Sequence, residues 1–226
     1  MKRLLKSSLA LVACLLIVSC SSPAPTPEIV PMKLQKAGAG STSLKVAEFK
    51  VIAGTDDVNE SAGTTLITDT DLRIRSYPEE NPKKRISVGL RFQGVDIPHG
   101  ATVVASYISI YPTTEKANDI NCVLYVQDTG DAADFLDNPH ITDEVFRPRI
   151  SYYKPWVEDD VNLDTYINSP SLNAPLQALF NKVNWSAGND LVILMIANTD
   201  VEKYIRFWHS EKWLDLPPKL HIEYLD

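Results

Sequence analysis

Arg85-Ile86-Ser87-Val88-Gly89-Leu90-Arg91-Phe92-Gln93 is the stretch that decides the fold. Ile86, Val88, Leu90 and Phe92 recur at every second position and point one way. Arg85, Ser87, Arg91 and Gln93 point the other way. An extended backbone sends successive side chains to opposite faces, so this period belongs to a strand with one face on a core.

The same reading extends in both directions. Residues 71–77 place Leu72, Ile74 and Ser76 on one face and Arg73, Arg75 and Tyr77 on the other. Residues 44–53 read as a first strand. Val95-Asp96-Ile97-Pro98-His99-Gly100 is a turn, and residues 102–111, rich in β-branched and aromatic types, form the next strand. Residues 121–128, 149–156, 205–209 and 220–225 read likewise; in the last, Leu220, Ile222 and Tyr224 alternate with His221 and Glu223. Residues 191–197 are apolar on both faces, the pattern of a central strand. One helix interrupts them. Ser171 is its polar cap and Pro175 lies in its first turn, where a missing N–H costs little. Leu172, Leu176, Leu179, Phe180 and Val183 form its apolar stripe. Short strands at this spacing with one inserted helix predict an all-β fold, an antiparallel β-sandwich of jelly-roll type.

The first 42 residues are different in kind. Lys2, Arg3 and Lys6 precede an apolar run from Leu9 to Val18. That run is shorter than the roughly 20 residues a membrane span needs, and it fits the core of a signal peptide. Ile17-Val18-Ser19-Cys20 looks like a lipobox, so residues 1–19 are expected to be a signal peptide and Cys20 the lipidated residue. Ser21 and Ser22 carry no aspartate retention signal, which predicts outer-membrane sorting in a Gram-negative host. Residues 20–42 are rich in proline and then glycine, and cannot bury enough apolar surface to offset their ordering entropy. They read as a tether ahead of a folded domain spanning 43–226. The expected location is the cell envelope, lipid-anchored outside the cytoplasmic membrane.

The cysteine count sharpens this. Cys14 leaves with the signal and Cys20 takes the lipid, so only Cys122 remains in the folded part and no disulfide forms within it. Removal of the signal lowers Lys and Arg from 22 to 19 against 29 Asp and Glu. An acidic chain lacks the basic surface that nucleic acid and anionic headgroups require, so no nucleic-acid partner is expected.

Several motifs resemble a known family. Gly89-Leu90-Arg91-Phe92-Gln93-Gly94-Val95-Asp96-Ile97-Pro98-His99-Gly100-Ala101-Thr102-Val103 is similar to a GLRF-x-G-V-x-I-P-x-G-A-T-I signature. Arg147-Pro148-Arg149 resembles an RPRT segment, with Ile150 in place of the threonine. Leu176-Gln177 and the stretch Val183-Asn184-Trp185-Ser186-Ala187-Gly188-Asn189 resemble a helix-and-turn motif. Pro218-Lys219-Leu220-His221-Ile222-Glu223-Tyr224 is similar to a closing PxLHVEY strand, and Asp56-Asp57-Val58-Asn59-Glu60 to a DDAEE cluster. These belong to secreted bacterial β-sandwich modules, look-alikes of the DNRLRE and disaggregatase-related domains, which are carbohydrate-binding-module-like jelly rolls. The resemblance implies fold and an extracellular setting.

Two groups of residues are candidate sites. Asp56, Asp57, Asn59 and Glu60 put four oxygen-bearing side chains within five residues, the donor chemistry of a calcium loop, and Asp69 and Asp71 are near in sequence. Modules that this chain resembles often carry a structural Ca²⁺, which makes the cluster a candidate metal site. The alternative is an ordinary turn, which Asp and Asn favour. Trp208, His209, Glu211 and Trp213, with Tyr204, form a candidate ligand-binding set. Sugar rings stack C–H faces on aromatic rings, while carboxylates bind hydroxyls. Trp156, Tyr152 and Tyr153 are further aromatics, with Trp156 and Trp185 assigned to the core.

No catalytic set stands out. The histidines His99, His140, His209 and His221 are scattered, and no GxSxG elbow, P-loop or GxGxxG is present. Cys122 sits in an apolar strand. Asp128, Asp131, Asp134 and Asp137 supply carboxylates, of which a glycosidase needs two. The leading expectation is a non-catalytic, lipid-anchored module binding glycans. A structural or protein-interaction module of an envelope assembly is the second reading, and a carboxylate-dependent glycan hydrolase the third.

Overall fold

The computed structural model describes residues 43–61, 64–66, 71–113, 119–136, 139–208 and 215–226. The residues expected to form the signal and the tether, with Cys20, lie outside them, as do Asp69, Asp137, His209, Glu211 and Trp213. The strands are β1 (Leu44–Lys50), β2 (Asp57–Ser61), β3 (Thr64–Leu66), β4 (Asp71–Ser76), β5 (Ser87–Val95), β6 (Thr102–Ile110), β7 (Ile120–Gln127), β8 (Arg149–Glu158), β9 (Ile167–Asn168), β10 (Asn189–Ala197), β11 (Lys203–Trp208) and β12 (Lys219–Leu225). A 3₁₀ turn spans Pro82–Lys84, and one helix, α1, spans Asn173–Phe180.

Every strand pair among the described residues is antiparallel. One sheet runs β1-β12-β6-β9 and the other β3-β2-β5-β10-β7-β8, with β11 and β4 as a separate ribbon. Set aside β2, β3, β4 and β11, and number the remaining strands by chain order. The first sheet then reads first, eighth, third, sixth, and the second reads second, seventh, fourth, fifth. That winding is the jelly roll, so the chain is an all-β sandwich of the expected type.

The alternation read in the sequence sets the core. Leu72 and Ile74, Val88, Leu90 and Phe92, and Leu220, Ile222 and Tyr224 all join one apolar cluster between the sheets. Burying each such side chain contributes about 1.5–3 kcal/mol. Trp156 and Trp185 are both buried there, as expected. The Trp185 indole N–H donates to the Ile97 carbonyl at 2.9 Å, so its polar edge is satisfied inside the core. β10 lies between β5 and β7, the central position its apolar sequence predicts. Burial pushes the Cys122 thiol well above its ordinary range, which leaves it an inert, small hydrophobe.

The outer face of the six-stranded sheet is covered over β2, β5 and β10. Val192 and Leu194 of β10 and Val58 of β2 pack there against Ala132, Phe135 and Ile141. These covering residues come from the segment joining β7 to β8. Gly89 permits the contact, since a Cβ built there would lie 2.6 Å from the Phe135 ring. Arg147 pins the cover. Its fully buried guanidinium donates to Gln127 Oε1 at 2.7 Å and to the carbonyls of Ala133 at 3.2 Å and Asp134 at 2.7 Å. Its Cζ lies 4.4 Å from the centre of the Phe135 ring. Burial lowers its pKa to about 10.

Two local expectations are corrected. The helix ends at Phe180, and Val183, assigned to its apolar stripe, is 98% exposed. Its capping position is held by Leu172, without a side-chain capping bond; Ser171 Oγ only accepts a 3.3 Å bond from the Asn173 N–H. The helix is held by polar side chains on its first turns instead. Asn173 Nδ2 donates to the Val104 carbonyl at 2.7 Å, and Gln177 accepts from the Val103 N–H at 2.8 Å and donates to the Ala101 carbonyl at 2.8 Å. Residues 57–61, read as a loop, form the strand β2, between β3 and β5.

Candidate functional site

β2 explains what the acidic cluster does. The pleat sends Val58 and Glu60 to the covered outer face and Asn59 toward β4. Glu60 accepts from the Ile141 N–H at 2.5 Å, the Thr142 N–H at 3.0 Å and the Thr142 hydroxyl. Asn59 Nδ2 donates to the Asp71 carbonyl at 2.8 Å, and its Oδ1 accepts the Arg73 N–H at 2.9 Å. That pair imitates a strand ladder and fixes β4 beside β2. Asp56 accepts from Arg91 Nη1 at 2.6 Å and from Gln93 Nε2 at 2.5 Å. Desolvation is the largest influence on Asp56, and it raises the carboxyl pKa against the opposing pull of those donors. Asp57 is equally buried. These four residues therefore do not converge: alternate faces separate them, and protein donors occupy the oxygens of Asp56 and Glu60. They do not fit a single calcium site. Among the described residues no group of three or more His, Cys, Asp or Glu is arranged to hold a metal.

The ligand-binding candidates are placed by the β4–β11 ribbon. Ile205 and Phe207 turn inward to the core, so Tyr204, Arg206 and Trp208 face outward on β11. In register, Tyr204 lies opposite Arg75, Arg206 opposite Arg73, and Trp208 opposite Asp71. The ribbon is tied to the sandwich at both ends, by a bridge from Arg75 to Ile86 ahead of β5 and another from Phe207 to Pro112 after β6.

Arg73, Arg75, Ile86, Glu202, Tyr204 and Arg206 line an open groove of about 400 Å³ on this face. Arg206 Nε donates to the Tyr204 hydroxyl, and its Cζ stands 5.7 Å from the Tyr204 ring centre. Arg75 pairs with Glu202 through Nη2, with a second bond from Nε at 3.2 Å. Its Cζ lies 5.5 Å from the Tyr77 ring, and Lys84 Nζ lies 4.5 Å from the same ring. Arg206 Nη1 lies 3.8 Å from Asp71 Oδ2. The face is thus a row of aromatic rings interleaved with guanidinium groups and flanked by two carboxylates. Such a row offers flat surfaces for C–H faces, together with donors and acceptors for hydroxyl groups.

Of the predicted set, Tyr204 and Trp208 share this face, while His209, Glu211 and Trp213 lie outside the described residues. Tyr152 and Tyr153 are exposed on β8, at an edge of the six-stranded sheet, and Trp156 is in the core. The groove arginines were missing from the predicted site. Their signal was present: residues 73 and 75 fall on the solvent face of a strand, and Arg206 alternates with Tyr204 and Trp208. What the sequence does not state is that β4 pairs with β11. Compared with models of known protein families and with curated proteins, the chain matches none.

Proposed function

We propose that this chain is a lipoprotein of the cell envelope whose β-sandwich binds a glycan, without catalysis, on the outer face of the β4–β11 ribbon. The observation that carries the reading is the groove itself: Tyr204 and Arg206 on one strand, Arg73 and Arg75 on the other, and Trp208 next along the same face. Aromatic rings supply stacking and guanidinium groups supply five N–H donors each, so the groove suits a hydroxyl-rich ligand. The lipid anchor rests on the sequence alone, on Lys2, Arg3, Lys6, the apolar run and Cys20. Among the described residues no helix is long and apolar enough to cross a membrane, and attachment through Cys20 needs none.

A glycan array probed with the purified chain tests the ligand. Tyr204→Ala and Trp208→Ala should each abolish or strongly weaken any glycan signal while leaving the melting transition in place. Full retention by both variants rejects the groove. Labelling of the chain with radioactive palmitate in a bacterial host, lost in Cys20→Ala, tests the anchor.

A protein partner is the second reading, and one observation favours it. β8 is an edge strand that exposes Tyr152, Tyr153 and Val157, and exposed edges accept an added strand.

A further inference from the structure

A second cleft lies on the far side of the strand that walls the groove. Alternation through residues 85–87 sends Ile86 into the ribbon groove and Arg85 and Ser87 into this other cleft. It encloses about 230 Å³, and Arg85, Ser87, Glu60, Thr142, Arg149 and Ile196 are among its walls. The floor is covered sheet and the rim is the segment pinned by Arg147. We propose that this cleft binds the carboxylate of one sugar-acid residue, with Arg85 and Arg149 as its cationic contacts.

The placement of the charges, and not their sum, favours a single negative group. The Glu60 carboxylate is 2% exposed and fully engaged by Ile141 and Thr142. Arg149 is held by Glu144 at 3.1 Å and by the Thr142 carbonyl at 2.7 Å, with its Cζ 4.7 Å from the Tyr125 ring. Its side chain is only 9% exposed, yet its Nε is buried with no hydrogen-bond partner. Arg85 is positioned by the 3₁₀ turn, where its own N–H donates to the Pro82 carbonyl at 3.1 Å. Its guanidinium makes no ion pair or hydrogen bond among the described residues. Glu60 is spent on Ile141 and Thr142, and Glu144 is exposed at the rim beside Arg149, so Arg85 is the cation of the cleft without a partner among the described residues, and the two carboxylates disfavour a dianion.

The remaining walls select the rest of the ligand. Ser87 Oγ accepts the Ala197 N–H at 3.1 Å, which leaves its hydroxyl hydrogen to donate. Thr142 spends its hydrogen on Glu60 and so presents lone pairs. One donor, one acceptor and the apolar side of Ile196 match a ring that carries hydroxyls and a C–H face. Pockets for drug-sized ligands run from about 300 to 1,000 Å³, so this smaller cleft holds one residue.

The test is calorimetric titration of the full chain with glucuronate, glucose and acetate at low salt. Glucuronate should bind, glucose should not, and acetate should bind more weakly. Arg85→Ala should weaken glucuronate by about tenfold or more, the worth of a charge-assisted hydrogen bond. Arg85→Lys should retain part of the affinity. Because the Arg85 guanidinium has no partner among the described residues to lose, both variants should melt like the parent chain. Arg149 variants are unsuitable alone, since Arg149 also holds the rim. Tyr204→Ala should leave glucuronate binding unchanged, which separates this cleft from the ribbon groove. Equal binding of glucose, acetate as tight as glucuronate, no binding of glucuronate, or unchanged affinity in Arg85→Ala would each overturn the proposal.

Discussion

β2 and β10 flank the same strand, β5, and are buried by opposite means. In β10, Val192, Ile193, Leu194 and Met195 are all fully buried, and each asks its surroundings only for volume. In β2, Asp57, Asn59 and Glu60 are buried just as deeply, at 2% exposure or less. Burial of the last two requires named partners: the backbone of β4 for Asn59, and Ile141 and Thr142 for Glu60. A satisfied hydrogen bond adds only about 0.5–1.5 kcal/mol, while an orphaned buried group costs about 1–3 kcal/mol. The apolar strand therefore tolerates changes of shape, and the polar strand tolerates none that removes a partner.

The comparison breaks most visibly in the core. Ile193→Ala should cost about 2–5 kcal/mol in urea unfolding, and the volume-conserving Ile193→Leu less than about 1.5 kcal/mol. Glu60→Ala should also cost about 2–5 kcal/mol, because the buried Ile141 N–H and the part-buried Thr142 N–H and hydroxyl lose their acceptor together. The two strands separate in a double-mutant cycle with Thr142→Val. Coupling on the order of 1 kcal/mol is expected with Glu60, and none with Ile193. Equal coupling to both would erase the distinction.

Asn59→Ala comes next, at about 1–3 kcal/mol. Its signature is local, because the lost bonds to Asp71 and Arg73 tie β4. Amide exchange should accelerate at Arg73 and along β11 while β10 stays protected; uniform acceleration would mean that Asn59 supports the whole sandwich.

A smaller effect concerns pH. The Asp56 carboxyl titrates above its ordinary 3.8, so the native state holds this proton more tightly than the unfolded chain. The stability it contributes is complete below 3.8 and is lost as pH rises through the native value, the reverse of an ordinary paired carboxylate. Urea midpoints of the parent chain relative to Asp56→Asn should fall across that window. A difference that grows with pH would show that the Arg91 ion pair outweighs desolvation.

The smallest effect expected is that of calcium. Because the β2 side chains are split between faces and held by protein donors, millimolar calcium or a chelator should move the melting midpoint by less than about 1 °C. A rise of several degrees would return the cluster to metal binding.

The apolar half of this molecule is legible in the sequence because its rule is local. Alternation at residues 72–76, 88–92 and 220–224 names inward faces without reference to anything distant, and the unbroken run at 191–197 names a strand covered on both sides. The polar half follows no local rule. Nothing within residues 56–60 states that Thr142 or Arg73 will stand beside them, so a strand reads as a loop. The cover over Gly89 was invisible for the same reason, since Phe135 arrives from a different segment. The candidate groove divides along that line. Tyr204 and Trp208 were legible as aromatics at alternate positions, whereas the convergence of Arg73, Arg75 and Arg206 depends on a pairing between segments far apart in the chain.

The winding of the sandwich also sets a timetable. β1, the earliest of the described strands, sits at a sheet edge and pairs with β12, the latest of them, with Leu44 opposite Leu225. A chain delivered in sequence order must carry β1 without its partner until β12 has emerged. Contacts so distant in sequence close slowly, and unpaired strands invite intermolecular pairing meanwhile. The interval between the arrival of β1 and that of β12 is therefore when this protein is most exposed to aggregation, and when a holding chaperone would matter most.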